Sequence, residues 1–437
     1  MKTHLIRLMS TVIVLLSMAA CKKDTSAPIP IDFPSANGAG MVLKWNEAGT
    51  AALTSMGGMP PMQESRIYAM INLAMHDALN STNPKYERYA YNVGIFNQAD
   101  PDAAVAQAAH DVIVHLFPDH QTVNTLLSES LSGIADNQSK TAGIEVGKLA
   151  AKAMIEKRTN DGESTAQFQF TQGTIAGAYR STPPFDAAPY NGMVMMPGWG
   201  KVHPFGLLET SQFRASEPYA INSAEYTADY NEIKTLGCKI GSSRTEEQAE
   251  IAVFWLDNVP MSMNRVARKL IVEKNLDAWK AARLLSILHM AEADANISAF
   301  DSKFFYNFWR PITAVRLGEQ DGNPNTIGDP EWDVMAAPTP PVPDYPSNHS
   351  ISAAAAAEVF RDFFGTDEIS FSATSDALPN VTRRFSSFSS AAKEIGLSRI
   401  YVGYHFRHAV EVGLAQGQKI GDFVNRYCLK EINQRNL

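Results

Sequence analysis

Apolar residues recur at helical spacing along most of the chain from residue 64 onward. In residues 64–80, Ile67, Ile71, Met75 and Ala78 fall on one stripe, as the core-facing side of an amphipathic helix requires. Alternating patterns typical of strands are scarce, so we predict a mostly helical protein. The predicted helices cover residues 64–80, 103–117, 141–158, 246–257, 263–275, 277–300, 350–364, 381–399 and about 405–426.

Two segments rich in Gly, Pro and aromatic residues interrupt these helices, at residues 160–245 and 320–346. Loops of this length inside a compact domain usually have a functional role. No repeat with a period of about 20–50 residues is visible, which argues against a solenoid. We predict a helical-bundle core with long loops over one end. Its N-terminal helical part, with a long loop region, spans residues 41–245, and its C-terminal helical part spans residues 246–437.

Composition narrows the class of protein further. Hydrophobic residues make up 45% and charged residues 19% of the 437 residues, which excludes a disordered chain. The net charge of −8 argues against general nucleic-acid binding but leaves room for a local basic site. Three cysteines do not make a disulfide scaffold, and pairing of Cys238 with Cys428 cannot be decided from sequence.

The first residues are predicted to be an export signal. Residues 1–20 combine a charged start with a short apolar run and small residues, as a signal peptide does. Small residues before Cys21 resemble a bacterial lipobox, in which the cysteine is lipidated; a cleaved signal with a chance cysteine is the alternative. Residues 21–40 are predicted to be a polar tether. We therefore expect an exported protein held on a bacterial membrane, outer, periplasmic or surface-facing, through the lipid alone.

Three short segments carry side chains suited to binding an oxyanion. In the first, Lys303 and Arg310 are seven residues apart, which predicts that both cations lie on nearly the same face of one helix. Pro311 marks a bend or an end just after. A guanidinium can bind two oxygens at once, while an ammonium acts as a point charge. Alone, such a pair is more often a solvated helix face.

The second segment, PDYPSNHS, predicts a helix start with Ser347 as its N-cap. Main-chain N–H groups at a helix start favour an anion, and the Ser347 hydroxyl adds a donor. His349 follows in the first turn, where a histidine can transfer protons near neutral pH. A routine cap beside a surface histidine would have the same pattern.

The third segment, LSRIYVGYHFRH, joins two predicted helices. Arg399 ends one, Gly403 permits a turn and His405 opens the next, so Arg399 and His405 can reach one point. His408 lies three residues after His405, and one of the two could be a ligand and the other its support. Each histidine alone could equally be a satisfied core or capping residue.

Taken together, these segments resemble the vanadium-dependent haloperoxidases and the related type 2 phosphatidic acid phosphatase superfamily. The motifs are Lys-x6-Arg-Pro, Pro-Ser-x-His and Ser-Arg-x5-His, in that order. The resemblance is tight over residues about 290–311 and 340–417, and the context ADANISAFDSKFFYNFWRP is similar to the haloperoxidase branch.

The resemblance implies an all-α fold of two four-helix bundles and one vanadate per chain, without haem. It implies that His405 bonds to vanadium and that His349 is the acid–base group. Such an enzyme uses hydrogen peroxide to oxidise a halide to a hypohalous species, which halogenates a small organic acceptor. The residues implied to hold the oxyanion are Lys303, Arg310, Ser347, Asn348 through its main-chain N–H, and Arg399.

Three departures from the family pattern affect the expected pocket. Asn348 stands where the family usually has Gly, and Val342 stands where relatives often carry an aromatic residue or His beside the halide. The family's aspartate shortly after the ligand histidine is missing, and we assign His408 to that supporting position. Phe300 is assigned to the pocket wall. A looser or wetter pocket activates peroxide less, so we expect iodide or bromide to be oxidised in preference to chloride.

Two other functions fit parts of the same pattern. Vanadate and phosphate share shape and charge, so the motifs also suit an acid-phosphatase-like hydrolase in which His405 is phosphorylated and His349 protonates the leaving group. The aromatic residues of 160–245 would suit a lipid-anchored helical binding protein. A zinc site that uses His405 and His408 lacks a supporting motif.

Overall fold

The computed structural model describes residues 38–432. The predicted signal peptide, the lipidation site Cys21 and nearly all of the tether lie outside these residues. A two-stranded antiparallel sheet, β1 (Phe371–Thr374) and β2 (Thr382–Phe385), accompanies the helices. The α-helices are α1 (Gly40–Ser55), α2 (Pro61–Thr82), α3 (Pro101–Leu116), α4 (Thr122–Ser132), α5 (Gln138–Arg158), α6 (Ala224–Leu236), α7 (Glu246–Phe254), α8 (Val259–Glu273), α9 (Ala278–Tyr306), α10 (Pro311–Arg316), α11 (Asn348–Phe364), α12 (Phe388–Tyr401) and α13 (Arg407–Tyr427).

The protein is all-α, as the sequence predicts, although the bounds of single helices differ from the prediction; the helix predicted over residues 246–257, for example, ends at Phe254. The helix predicted over residues 381–399 begins only at Phe388, because the chain before it pairs as β2 with β1. Ser387 caps the shortened helix by accepting a hydrogen bond from the main-chain N–H of Ser390. Helix α6 lies inside the predicted loop region and was missed, since its buried face offers only a few apolar residues.

The helices form two bundle-type groups. Helices α1, α2, α3 and α5 pack against one another, and α9, α11, α12 and α13 form the second group. Helix α9 also packs along α2 and so joins the two groups. Nearly every residue of α9 from Leu284 to Phe300 is buried, as expected of a helix surrounded by others.

A stripe of glycines lets α13 lie directly on α11. Gly413, Gly417 and Gly421 are one helical turn apart and face the alanine-rich part of α11. A Cβ atom at Gly417 would lie 2.1 Å from the carbonyl oxygen of Ile351, so a larger residue would push the helices apart. This contact supports the start of α11, where Ser347 and His349 are placed.

Two further observations concern the described residues alone. No helix within residues 38–432 is both long and apolar enough to span a bilayer. Cys238 and Cys428 are both free thiols, which answers the pairing question that the sequence left open.

Candidate active site

A cavity of about 320 Å³ lies where several of the predicted site residues meet. Most of its wall is apolar and rich in proline, and its polar side chains come from separate parts of the chain. Lys303 and Ser347 are fully buried and are not part of this wall. The lining residues are Pro60, Pro61, Met62, Phe185, Met195, Leu256, Asn258, Phe300, Arg310, Pro338, Pro340, Pro341, Val342, Asn348, His349, Arg399, Tyr404 and His405.

Lys303 and Arg310 are brought together by a chain reversal, and the prediction that they share a helix face was wrong. Helix α9 ends at Tyr306, and Asn307 takes a left-handed conformation with φ of 50°. Arg310 is then the extended residue before α10. Asparagine tolerates this conformation better than most residues, and the break turns the Arg310 side chain back toward α9.

Both cations hold the segment that precedes the second motif. The Lys303 Nζ donates hydrogen bonds to the carbonyl oxygens of Pro343 (2.8 Å) and Asp344 (2.9 Å). The Arg310 Nε donates to the carbonyl oxygen of Val342 at 2.7 Å. Burial and the nearby Arg310 charge hold the pKa of Lys303 well below its usual value. Residues 342–344 are therefore fixed to the end of α9.

The predicted helix start at Ser347 is confirmed. The Ser347 side chain accepts a hydrogen bond from the main-chain N–H of Ser350, and α11 begins at Asn348. The Ser347 N–H donates to the carbonyl oxygen of Ala409 at 2.9 Å, which ties this start to α13. The Asn348 Nδ2 donates to Asn296 Oδ1 at 3.0 Å, so its side chain is anchored to α9.

His349 lies in the first turn of α11 and lines the cavity. Its Nε2 atom is buried and has no hydrogen-bond partner among the described residues. Burial, followed by the charge of Arg399, lowers its pKa well below the usual value, while a hydrogen bond to the main chain of Asp257 acts in the opposite direction. The ring is therefore neutral near pH 7 and has one nitrogen free for a proton.

A tight turn brings Arg399 to His405. Gly403 has φ of 91°, a conformation that a side chain would strain, and its Cβ position lies only 2.6 Å from the carbonyl oxygen of Gly237. The N–H groups of Tyr404 and His405 both donate to the carbonyl oxygen of Arg399. The predicted glycine turn is confirmed, although α13 begins at Arg407, so His405 lies just before the helix.

The His405 ring is oriented by groups of opposite charge. The Arg310 Nη1 lies 3.0 Å from Nε2, and because arginine only donates, Nε2 accepts and the proton resides on Nδ1. An Asp344 carboxyl oxygen lies 2.8 Å from Nδ1, although not aligned for a full hydrogen bond. Burial and the charges of Arg310 and Lys303 hold the pKa of His405 well below its usual value. His405 therefore offers a neutral ring with its Nε2 lone pair beside a guanidinium.

His408 does not occupy the supporting position assigned to it from the sequence. Its ring stacks on Tyr219 with centroids 3.7 Å apart, and its Nε2 lies 3.3 Å from the Tyr345 hydroxyl oxygen. Its main-chain N–H donates to Asp229. Within residues 38–432, the acidic group beside the His405 ring is Asp344. The segments that contain Asp344 and His405 precede α11 and α13, and the starts of these two helices lie together, with the Ser347 N–H bonded to the carbonyl oxygen of Ala409.

Asp344 is one of the groups that the sequence reasoning missed. It is fully buried, lies 3.9 Å from the Arg310 Nη1, and burial raises its pKa to about 7. The sequence signal was its place inside the quoted PDYPSNH segment, three residues before the cap.

The loop between α7 and α8 was also missed, and no sequence signal points to it. The carbonyl oxygen of Trp255 accepts a hydrogen bond from Arg399 Nη2, the main chain of Asp257 contacts His349, and Leu256 and Asn258 line the cavity. Within residues 255–258, two residues thus bond site side chains and the other two form part of the cavity wall.

The charge balance of the site favours a small anion with several oxygens. Lys303, Arg310 and Arg399 are buried around the two histidines, with Asp344 as the neighbouring acid. Buried cations without matching anions are costly, and an oxyanion would offset that cost. Burial, together with these cations, holds the pKa of both histidines well below the usual value, so that one can act as a ligand or nucleophile and the other as a base.

Comparison with known proteins adds independent observations. Residues 283–434 match the family described as the VCPO second helical-bundle domain. A vanadium chloroperoxidase from Curvularia inaequalis is 25% identical over 422 residues, which cover 78% of this chain and 68% of that protein.

Solved structures show the same fold. A bacterial vanadium-dependent iodoperoxidase is similar with a TM-score of 0.76 and 25% identity, over 90% of this chain and 97% of that one. A holo-type bacterial vanadium-dependent chloroperoxidase has a TM-score of 0.67 at 16% identity, over 84% of this chain and 93% of that one. The second likeness concerns the fold alone.

Proposed function

Because the chain belongs to the vanadium haloperoxidase family, we propose that it is a vanadate-dependent enzyme that uses hydrogen peroxide to oxidise iodide or bromide. The hypohalous species formed would halogenate a small organic acceptor. The main observation behind this proposal is that one cavity is lined by two arginines and two histidines, Arg310, Arg399, His349 and His405. Lys303 is buried beside them.

The residues present fit one vanadate ion per chain. The site has more buried cations than anions, and the Nε2 of His349 has no hydrogen-bond partner among the described residues. The Nε2 lone pair of His405, which accepts a hydrogen bond from Arg310, would be released for the ion when that guanidinium bonds an oxygen of the ion instead. Arg310, Arg399 and the N–H of Asn348 belong to residues that line the cavity and would hold its oxygens. Lys303 and Ser347, which the motifs also assign to the ion, lie behind this wall, where Lys303 would add positive charge and Ser347 a hydroxyl. When bound, vanadate makes hydrogen peroxide reactive toward a halide.

The protein's own groups have distinct tasks in this proposal. His405 would hold vanadium through Nε2, and the Asp344 carboxyl oxygen 2.8 Å from Nδ1 would favour the proton on that atom. His349, neutral near pH 7, takes a proton from hydrogen peroxide as it binds. Arg310 and Arg399 stabilise the negative charge on the oxygens, while the proline-rich apolar wall excludes water.

The preference for iodide or bromide over chloride is supported by the cavity wall. Val342 and Phe300 both line the cavity, and neither offers a polar or charged group to a halide. Asn348 adds an amide beside His349 where the family has Gly. Chloride is the most difficult of the three halides to oxidise, so it needs the most strongly activated peroxide.

The deciding experiment compares halide oxidation with phosphoester hydrolysis by the same protein. The purified protein is loaded with orthovanadate and assayed with hydrogen peroxide and each halide, and then without vanadate on a generic phosphate ester. We expect peroxide-dependent oxidation of iodide or bromide that outpaces hydrolysis. Hydrolysis without halide oxidation would refute the proposal in favour of the phosphatase alternative, in which His405 is the nucleophile.

Replacement of the proposed acid–base residue tests the mechanism. We expect His349→Ala to keep vanadate bound and to lose turnover by about 10²–10⁴-fold, the usual contribution of general acid–base catalysis. The matched control is His115→Ala, which removes an exposed imidazole outside the cavity. Equal turnover of both variants would show that proton transfer does not pass through His349.

We further propose that the protein is exported and anchored through a lipid on Cys21. The support is the sequence pattern of residues 1–21 alone. Cys21→Ser should release the protein from the membrane fraction, measured by fractionation of expressing cells. A variant that stays in that fraction would contradict the lipid anchor.

The boundary between the N-terminal helical part (residues 41–245) and the C-terminal helical part (residues 246–437) stays a prediction.

A further inference from the structure

Two methionine side chains line the cavity in which the proposed oxidant would form. Met62 lies at the start of α2 and is 3% exposed, and Met195 lies in the long loop before α6. Both belong to one apolar cluster together with Phe300 and Val342. The cavity that they line also contains His349 and His405.

Main-chain hydrogen bonds place Met195 close to the cationic end of the site. Its N–H donates to the carbonyl oxygen of Pro341 at 2.9 Å. Val342, which follows Pro341 in the chain, accepts a hydrogen bond through its carbonyl oxygen from Arg310 Nε at 2.7 Å. Met195 is thus fixed beside the segment that the proposed oxyanion-binding arginine holds.

The remaining wall is poor in groups that an electrophilic halogen attacks. Proline, leucine, valine and phenylalanine side chains have no lone pair to donate. Thioether sulfur is polarizable and is oxidised readily to the sulfoxide. The phenol of Tyr404 also lines the cavity, but its hydroxyl donates to the carbonyl oxygen of Ala336. A hypohalous species leaving the site would meet the methionine sulfurs as its most reactive neighbours.

We propose that Met195 and Met62 are a reaction-dependent modification site, oxidised to the sulfoxide by the hypohalous species made in the same cavity. This inference rests on the proposed function. The sulfur lone pair attacks the halogen and the oxygen–halogen bond breaks, which releases hydroxide. Water then adds to sulfur and halide leaves, so that sulfur loses two electrons and the halogen gains them. The net change converts methionine and hypohalous acid into methionine sulfoxide, halide and a proton.

Modification would change the character of the cavity during turnover. A sulfoxide is polar and chiral where the thioether is apolar, and it would be placed in the wall that also contains Val342 and Phe300. The halide is regenerated in the step, so the modification consumes peroxide alone.

The test measures sulfoxide at individual methionines by peptide mass spectrometry. The vanadate-loaded full-length protein is given hydrogen peroxide with iodide or bromide and no organic acceptor. The internal control is Met56, which is 60% exposed and lies outside the cavity. We expect oxygen at Met195 and Met62 several-fold faster than at Met56. With peroxide alone, or with hypobromite added to the solution, Met56 should be oxidised first.

The outcomes separate this inference from the proposed function. If the enzyme oxidises halide while Met56 gains oxygen as fast as Met195, the oxidant leaves before it reacts, and the inference is wrong. If the protein oxidises no halide, the proposed function fails and the inference with it. In Met195→Leu, a replacement of similar volume, the modification should fall on Met62 and still exceed that at Met56.

Discussion

Replacement of the buried carboxyl group beside His405 should change the affinities for two similar oxyanions to different extents. Asp344→Asn keeps the shape of the side chain and removes its negative charge. The proposed vanadium ligand then loses the acidic group 2.8 Å from its Nδ1. Loss of such a supporting partner typically costs about 10–100-fold in metal affinity, which is about 1.4–2.7 kcal/mol. The affinity for vanadate should therefore fall relative to the affinity for phosphate in the variant.

Phosphate should bind more tightly to the same variant, because it needs the cations but no bond to vanadium. Asp344 lies 3.9 Å from the Arg310 Nη1. An anion hydrogen-bonded on the far side of this guanidinium would be roughly 7 Å from the carboxylate, where the repulsion at an effective dielectric constant of about 20 is about 2 kcal/mol. Removal of the charge should tighten phosphate binding by up to roughly 30-fold, and less at high salt.

The assay measures vanadate and phosphate affinity by equilibrium dialysis at about pH 8, where a carboxyl with a pKa of about 7 is mainly ionised. The matched control is Asp333→Asn, the same replacement at a residue 3.8 Å from Arg316 and outside the cavity. It should leave both affinities unchanged. If the ratio of vanadate affinity to phosphate affinity is the same in Asp344→Asn as in the wild type, Asp344 does not support His405 as a vanadium ligand.

Three further predictions concern the ligand, a buried acid and the helix contact. His405→Ala should lose vanadate on dialysis. His408→Ala should retain it, because the His408 ring packs on Tyr219. Stoichiometric vanadate in dialysed His405→Ala would show that His405 is not the vanadium ligand. Burial raises the pKa of Glu64 from 4.5 to about 7, so the folded state binds more protons between these values, and stability falls as pH rises through them. Glu64→Gln should lack this loss of up to about 3 kcal/mol, measured by denaturant unfolding at about pH 5 and pH 8; a difference from wild type that is the same at both pH values would contradict it. Gly417→Ala, whose Cβ would lie 2.1 Å from a carbonyl oxygen, should destabilise the protein by about 1–3 kcal/mol. The control is Gly133→Ala, where the added Cβ would lie 3.8 Å from its nearest neighbour, the carbonyl oxygen of Ser130, and the melting temperature should stay nearly unchanged. Equal shifts of the melting temperature in the two variants would show that the α11–α13 contact is not tight.

The local conformations at the site were readable from the sequence because short-range chemistry determines them. Ser347 caps α11 since its side chain can reach the N–H of Ser350 within one turn. Gly403 makes the turn before His405 since its φ of 91° is costly for other residues. These features depend on neighbours a few residues away, so a single sequence is sufficient to predict them.

Residue spacing predicted the wrong local geometry where a helix ended between two site residues. Lys303 and Arg310 fit one helix face by number, yet Asn307 ends α9 between them. The cations still meet, because Arg310 turns back onto the carbonyl oxygen of Val342, 32 residues away. The motif identified the right residues, while the arrangement that brings them together was a tertiary one.

The sequence by itself determined the helical class, the cap, the glycine turn and the cations and histidines of the site, since each follows from residue type and local spacing. Only the tertiary structure decided which groups hold them. Trp255 accepts a hydrogen bond from Arg399 across 144 residues of chain, and Asp344 rather than His408 lies beside His405. Such partners meet because helices pack, and packing depends on the summed fit of many side chains. No local pattern in the sequence encodes that fit.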